Sequence, residues 1–300
     1  MKIKADKKYA ILPVILCIVL TAVYCVVFVL GDDRTAPQIH MDSDVLSVSV
    51  EADDSQLLQG VTATDNKDGD VTADILIENI SKFTSENTAT ITYVAYDSSG
   101  NASKAGRTVK FTDYQPPKFG QDQALVFSSN TAPDVLGFMT ATDKIDGDIS
   151  ANVKGTLLSE ATSLNYPGTH TVEFRVTNSM GDTQYITLPV DVYEGNEYNG
   201  KVELTDYLVY LPVGAEFDPQ DYLENLVVGT TKYPLDGSGS NRIYINNYVS
   251  PAVNPGANIT NIEIKSDVDT DTPGVYSVAY TVDYAGRYTG FTRLNVVVEE

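Results

Sequence analysis

Three times along the chain, apolar residues alternate with polar ones, reach a turn rich in Asp, Asn and Gly, and then resume their alternation. Ile91, Tyr93 and Ala95 lead to Asp97-Ser-Ser-Gly100 and on to the run from Arg107 to Phe111. Val172, Phe174 and Val176 lead to Asn178-Ser-Met-Gly181 and then to Ile186, Leu188, Val190 and Val192. Tyr276, Val278, Tyr280 and Val282 lead to Asp283-Tyr-Ala-Gly286 and then to Leu294, Val296 and Val298. A period of two places one row of side chains on a core face, so each passage predicts a pair of strands. An Asx residue suits the first position of the turn, and Gly accepts the positive φ that closes it. In the third passage the last apolar residue stands directly before the Asp. A shift of one residue reverses which side chains face inward, so that turn is expected to be built differently.

The segment from Tyr9 to Leu30 shows no alternation: it is 22 residues without a charge. At ~1.5 Å rise per residue, a helix of that length spans the ~30 Å hydrocarbon core of a bilayer. Lys2, Lys4, Lys7 and Lys8 precede it and Asp32 and Asp33 follow it, a bias that predicts a cytoplasmic N-terminus with the rest of the chain outside. The competing reading is a cleaved secretory signal, which needs an apolar region of only ~7–15 residues and small residues at the cut. The run is longer than that. Neither Cys17 nor Cys25 has a small residue just before it, as a lipidated cysteine would need. No LPxTG-like sorting signal follows the last strand, so this helix is the expected attachment.

The strand passages are repeats. Val61-Thr-Ala-Thr-Asp-Asn-Lys-Asp-Gly-Asp-Val-Thr-Ala-Asp-Ile75 matches Met139-Thr-Ala-Thr-Asp-Lys-Ile-Asp-Gly-Asp-Ile-Ser-Ala-Asn-Val153 at 8 of 15 positions, at an offset of 78 residues. That is a tandem duplication. The third unit lacks the motif. Connectors at Thr35-Ala-Pro37, Gln115-Pro-Pro117 and Glu194-Gly-Asn196 interrupt strand ladders and bound the units. The expected organisation is a basic tail (1–8), a transmembrane helix (9–30) and three tandem β-sandwich domains (34–113, 115–193 and 197–300). The fold class is all-β apart from the helix.

Composition narrows the possible partners. The chain carries 41 acidic and 20 basic side chains, a net of −21, and four of the basic ones lie in the first eight residues. Nucleic acid and anionic lipid headgroups are poor partners for such a surface. Both cysteines fall within the apolar segment, so the exported domains depend on their cores and carry no disulfide.

The repeats resemble bacterial immunoglobulin-like domains of the type named after the Ig-like region of certain pesticidal crystal proteins. Such domains show an opening Ala-Pro or Pro-Pro, a central Ala-Thr-Asp-x-x-Asp-Gly-Asp and a closing Asp-Ser-x-Gly-Asn. Here these are Ala36-Pro37, Ala63 to Asp70 and Asp97 to Asn101, then Pro116-Pro117, Ala141 to Asp148 and a drifted turn at Asn178 to Asp182. The third unit is similar only loosely, with Val213-Gly-Ala-Glu-Phe217-Asp218 resembling the family's second strand. The resemblance implies an Ig-like fold on a bacterial surface, common in adhesins and other envelope proteins, and implies no activity.

Two groups of residues are candidate sites. Asp65, Asp68 and Asp70, with Asp143, Asp146 and Asp148, offer the hard oxygens and tight Gly-bearing loop that Ca²⁺ favours. Lys67 and Ile145 stand where an EF-hand loop places its second ligand, so a structural turn is the alternative. Tyr233, Tyr244 and Tyr248 lie in a stretch read as irregular, in a unit holding 11 of the 19 tyrosines. Tyr mixed with Gly, Ser and Asn suits a surface for a protein or glycan ligand. His40 and His170, the two histidines, have no HExxH or nucleophile elbow around them and read as surface or strand residues. The sequence therefore leads to a non-enzymatic, membrane-anchored surface protein, adhesin-like or a spacer. A membrane-bound accessory of an envelope enzyme or polymer-assembly complex is the alternative.

Overall fold

The structure, a computed structural model, describes residues 7–31, 33–129, 133–158, 163–194, 200–228, 230–236, 242–245, 259–284 and 288–300. It divides into two compact units, Met1–Tyr114 and Gln115–Glu300.

The first unit opens with α1 (Lys7–Gly31), a 25-residue helix that runs through Pro13. Side chains are described for residues 13–25 of it, all exposed. Among the described residues no helix is long and apolar enough to cross a membrane. The strands that follow are β1 (Gln38–Met41), β2 (Val45–Val48), β3 (Val61–Asp65), β4 (Gly69–Asp70), β5 (Ile75–Ile80), β6 (Thr88–Tyr96) and β7 (Ala102–Phe111). They form two sheets in the orders β1-β3-β4 and β2-β7-β6-β5. Ala63 of β3 and Ala89, Ile91, Tyr93 and Ala95 of β6 are all fully buried, as the two-residue period requires of an inner face. A one-turn helix, α2 (Asp54–Leu57), is started by the capping box of Asp53 and Gln56. The Tyr93 hydroxyl donates to its Leu57 carbonyl at 2.7 Å.

In the second unit, β8 (Lys118–Gln121), β9 (Val126–Ser128), β10 (Met139–Asp143), β11 (Gly147–Asp148), β12 (Lys154–Leu157), β13 (Gly168–Thr177) and β14 (Thr183–Tyr193) repeat the topology, with orders β11-β10-β8 and β12-β13-β14-β9. Phe119, Leu125, Met139, Phe174, Val176, Leu188 and Val190 fill this core. The third sandwich contains β15 (Gly200–Leu204), β16 (Leu208–Pro212), β17 (Leu223–Val228), β18 (Thr231–Asp236), β19 (Arg242–Ile245), β20 (Ile259–Ser266), β21 (Gly274–Tyr284) and β22 (Tyr288–Glu299). These run as one ladder, β15-β17-β18-β19-β20-β21-β22-β16, whose strands close over a core of Val202, Leu226, Val278, Tyr280, Leu294 and Val296.

One device recurs in all three. The last strand pairs in parallel with an early one: Leu46 lies opposite Val109, Val192 opposite Phe127, and Val209 opposite Val296. The segment Val213 to Asp218, which the family resemblance placed on a second strand, instead follows β16 as turn and loop. Its Gly214 has φ 78°, and Asp218 caps the short 3₁₀ helix Pro219–Tyr222 through the Gln220 N–H. Capping and a positive φ end a strand where sequence similarity alone would extend it.

Candidate functional site

Each motif Ala-Thr-Asp-x-x-Asp-Gly-Asp folds into a latch. Asp65 Oδ1 accepts the N–H groups of Lys67 and Asp68 at 2.8 and 3.0 Å, which turns the chain after β3. Gly69 follows at φ 75°, a conformation that disfavours a Cβ. The Asp68 carboxylate then accepts the N–H and the hydroxyl of Ser98 at 2.7 and 2.9 Å, which ties this turn to the one between β6 and β7. The second repeat uses the same atoms. Asp143 accepts Ile145 and Asp146, Gly147 has φ 72°, and Asp146 accepts the N–H and hydroxyl of Ser179, both at 2.6 Å.

Asp70 and Asp148 finish the latch. The Thr72 hydroxyl and N–H hold the Asp70 carboxyl below its ordinary value of 3.8, and the Ser150 hydroxyl and N–H do the same for Asp148. A carboxyl that titrates lower in the folded protein than in the unfolded chain contributes stability that is complete above the unfolded value. That contribution is lost as pH falls through the folded one, where the unfolded chain binds more protons. Melting temperature should therefore be level between about pH 7 and 5 and decline below about pH 4. Asp148→Asn should flatten the decline of the second unit, and a calorimetric pH series compares the two.

All six aspartates selected from sequence thus accept backbone N–H or hydroxyl donors, and among them Asp65 alone also enters a cluster of acids. One oxygen from each of Asp33, Asp65 and Asp97 lies within 4.8 Å of the others, the one such cluster among the described residues. Asp65 and Asp97 are buried and Asp33 nearly so, with residue exposures of 8, 8 and 9 %. Asp97 anchors the closing turn by accepting from Ser99 and Asn101 N–H groups and from the Asn101 side chain. Burial pushes its carboxyl up, but these bonds outweigh that effect and leave it below the ordinary value. Asp33 Oδ1 accepts Thr35 N–H, and the Asp33 carbonyl accepts Asn101 Nδ2. The Oδ2 atoms of Asp33 and Asp65 are buried without a hydrogen-bond partner. The sequence reading used Asp33 only for topology and Asp97 only as a turn residue. The change from Asp97 to Asn178 between the repeats is the one signal of this spot in the sequence, and it says nothing of Asp33.

The tyrosines resolve differently. Tyr233 and Tyr244 lie in β18 and β19, opposite Leu226 and Asp236, rather than in an irregular loop. Their side chains, and all of Tyr248, lie outside the described residues. Five other tyrosines of this sandwich, Tyr207, Tyr210, Tyr222, Tyr276 and Tyr280, are buried or half-buried. Tyr280 donates to the Pro219 carbonyl at 2.6 Å, and burial pushes the Tyr210 hydroxyl up to about 12. In a chain without Trp, these rings supply core volume, the Tyr276 and Tyr280 hydroxyls donate to backbone carbonyls and the Tyr207 hydroxyl accepts the Leu204 N–H. His40 sits exposed on β1. His170 is buried on β13 with Nε2 2.7 Å from the Tyr166 carbonyl oxygen.

The second unit also carries a cleft of about 340 Å³ lined by Phe127, Phe138, Tyr193, Lys201, Phe291 and Thr292, among others. The Phe127 and Phe138 rings stack at 5.4 Å. The mixture of aromatic walls with a few polar groups suits a small ligand.

No protein-family model matches the sequence, and no curated protein matches it. Solved structures similar to it include CBM51-2 in complex with GlcNAc and INT domains from Clostridium perfringens ZmpB, at 20% identity and TM-score 0.21, over 50% of this chain and 26% of that one. A lipoprotein from Bacteroides thetaiotaomicron matches at 14% identity and TM-score 0.20, over 60% of this chain and 98% of the other. Extracellular cadherin domains 1–4 of protocadherin gamma B7 match at 13% identity and TM-score 0.22, over 88% and 76%. The chain spans about a quarter of the length of the first of these. At such scores the likenesses carry no argument of their own. The sheet orders and the recurring parallel closure define the fold as all-β and Ig-like.

Proposed function

We propose that the chain is a non-enzymatic, membrane-anchored protein of the bacterial surface, in which α1 spans the plasma membrane with its N-terminus inside and the Ig-like sandwiches stand outside. The third sandwich is its ligand-contacting part, and the ligand is a protein or a glycan. The observation that carries this reading is α1 itself. It is a 25-residue helix whose Val14, Leu16, Ile18, Leu20, Val23 and Tyr24 are all more than half exposed. Exposed apolar side chains need an apolar surrounding, and the 22 uncharged residues of the sequence from Tyr9 to Leu30 would, at ~1.5 Å each in a helix, reach across a bilayer. The resemblance of the repeats to Ig-like domains of the pesticidal-crystal-protein type supports the bacterial surface. The aromatic cleft supports a small or flexible ligand.

The full chain expressed in bacteria should remain in the membrane pellet after carbonate extraction, and protease added to intact cells should digest it from outside. Leu16→Arg with Val19→Arg puts two charges near the helix centre, each costing about 2.5–3.5 kcal/mol on the insertion scale. That variant should move to the soluble fraction. An unchanged pellet would sink the anchor. A glycan and matrix-protein binding screen of the full chain tests the ligand-binding part, and hydrolysis of any envelope glycan or peptide by the purified protein would overturn the non-enzymatic part.

A further inference from the structure

We propose that Asp33, Asp65 and Asp97 form a Ca²⁺ site in the first sandwich, sharing only Asp65 with the acidic motif that the sequence alone selects. The three carboxylates come from separate places: the chain entering the domain, the end of β3 and the start of the β6–β7 turn. Their oxygens lie within 4.8 Å of one another. The Oδ2 atoms of Asp33 and Asp65 are buried with no donor facing them. Carboxylate oxygens removed from water need a positive partner, and like charges at this range repel unless something lies between them. A hard cation taking six to eight oxygens at about 2.3–2.6 Å fits the donor set, with bound water completing the shell.

The second repeat is the internal control. Asp143 stands where Asp65 does, and Asn178 where Asp97 does. There the Asn178 amide donates to Asp143 Oδ2 at 3.1 Å, so the oxygen that is orphaned in the first repeat has a donor in the second. The same fold thus meets the same need by two means: a neutral amide in one domain and, on this reading, a metal ion in the other. Bound there, Ca²⁺ would tie Asp33, two residues beyond α1, to both turns of the sandwich.

The test uses the full-length chain in detergent at pH 7.5, titrated with CaCl₂ by calorimetry and melted in EDTA and in excess Ca²⁺. The expected result is one ion per chain, with a dissociation constant of about 10⁻⁴ M as in extracellular modules. At tenfold excess over that constant, one transition should rise by about 5–10 °C. Asp97→Asn copies the second repeat. It should abolish the Ca²⁺ response, and because Asn101 Nδ2 donates to Asp97 Oδ2, its melt in EDTA reads the cost of that lost bond separately from the lost site. Asp33→Asn, which leaves both turns intact, should weaken binding at least tenfold. The proposal is overturned by a wild type indifferent to Ca²⁺, by an Asp97→Asn variant that keeps the shift, or by an equal shift with Mg²⁺. It is also overturned if lowering the pH to 5.5 in EDTA stabilises the protein as much as Ca²⁺ does, since a shared proton would then fill the gap.

Discussion

Replacing Tyr93 by alanine is expected to destabilise the first sandwich by about 3–5 kcal/mol, a large part of what a domain of this size has. Tyr93 is completely buried in β6, and its hydroxyl reaches the Leu57 carbonyl of α2, so one side chain fills the core and fastens the short helix over it. The two roles can be separated. Tyr93→Phe keeps the ring and removes the bond, which should cost about 1–2 kcal/mol, including the penalty of a buried carbonyl left without its donor. The second repeat has Phe174 at the equivalent place, also fully buried, so packing is common to both domains and the hydroxyl is particular to the first. Tyr280 restores the hydroxyl in the third sandwich, bonded to Pro219 of the helix corresponding to α2. Guanidinium titrations of the full chain should show the alanine midpoint far below the phenylalanine one at unchanged slope. Equal losses in the two variants would show that the hydroxyl, and not the ring, dominates.

Those rows of alternating residues were the most legible part of the molecule. Ile91, Tyr93 and Ala95, then Val172, Phe174 and Val176, then Val278, Tyr280 and Val282 all point inward, because a period of two is a property of the local chain. Arg107 breaks the rule. It occupies an inward position of β7 at 3 % exposure, with its guanidinium donating to the Gln59 carbonyl at 2.6 Å and to Asp42 at 2.9 Å. Nothing in its neighbours along the chain announces those partners, 48 and 65 residues away. The parallel pairings of β2 with β7 and of β9 with β14 were hidden for the same reason. The acidic motif was legible as a turn, and its latch onto Ser98 and Ser179 was not. The third closing turn was expected to differ. Asp283 lies within β21 opposite Thr289, whereas Asp97 and Asn178 begin turns. The convergence of Asp33 on Asp65 and Asp97 needed three dimensions, since 64 residues separate the first from the last.

The second large effect is expected where the second and third sandwiches meet, at Arg293 of β22. Its guanidinium holds Asp191 of β14 by two bonds, Nε to Oδ2 at 2.7 Å and Nη2 to Oδ1 at 2.9 Å, and Nη1 reaches Ser277 Oγ at 3.1 Å. The two side chains keep 17 and 12 % of their surface. Nearby, Asn295 donates to Gln121 at 2.8 Å, both residues buried, and Ala124 belongs to the core of the third sandwich. By contrast, the pair of Lys118 and Glu299 is 48 and 44 % exposed, so water screens it and its loss should cost at most about 1 kcal/mol. Arg293→Ala strands a buried carboxylate with only Thr169 Oγ1 as a described donor, which should cost about 3–5 kcal/mol. Because that loss falls on the junction, calorimetry of the full chain should show the transition of the second unit splitting in two. Replacing both partners by apolar residues, Asp191→Leu with Arg293→Met, removes the stranded charge and should recover most of the stability. If Arg293→Ala behaves like Lys118→Ala, the junction is held by packing around Ala124 and not by the buried ion pair.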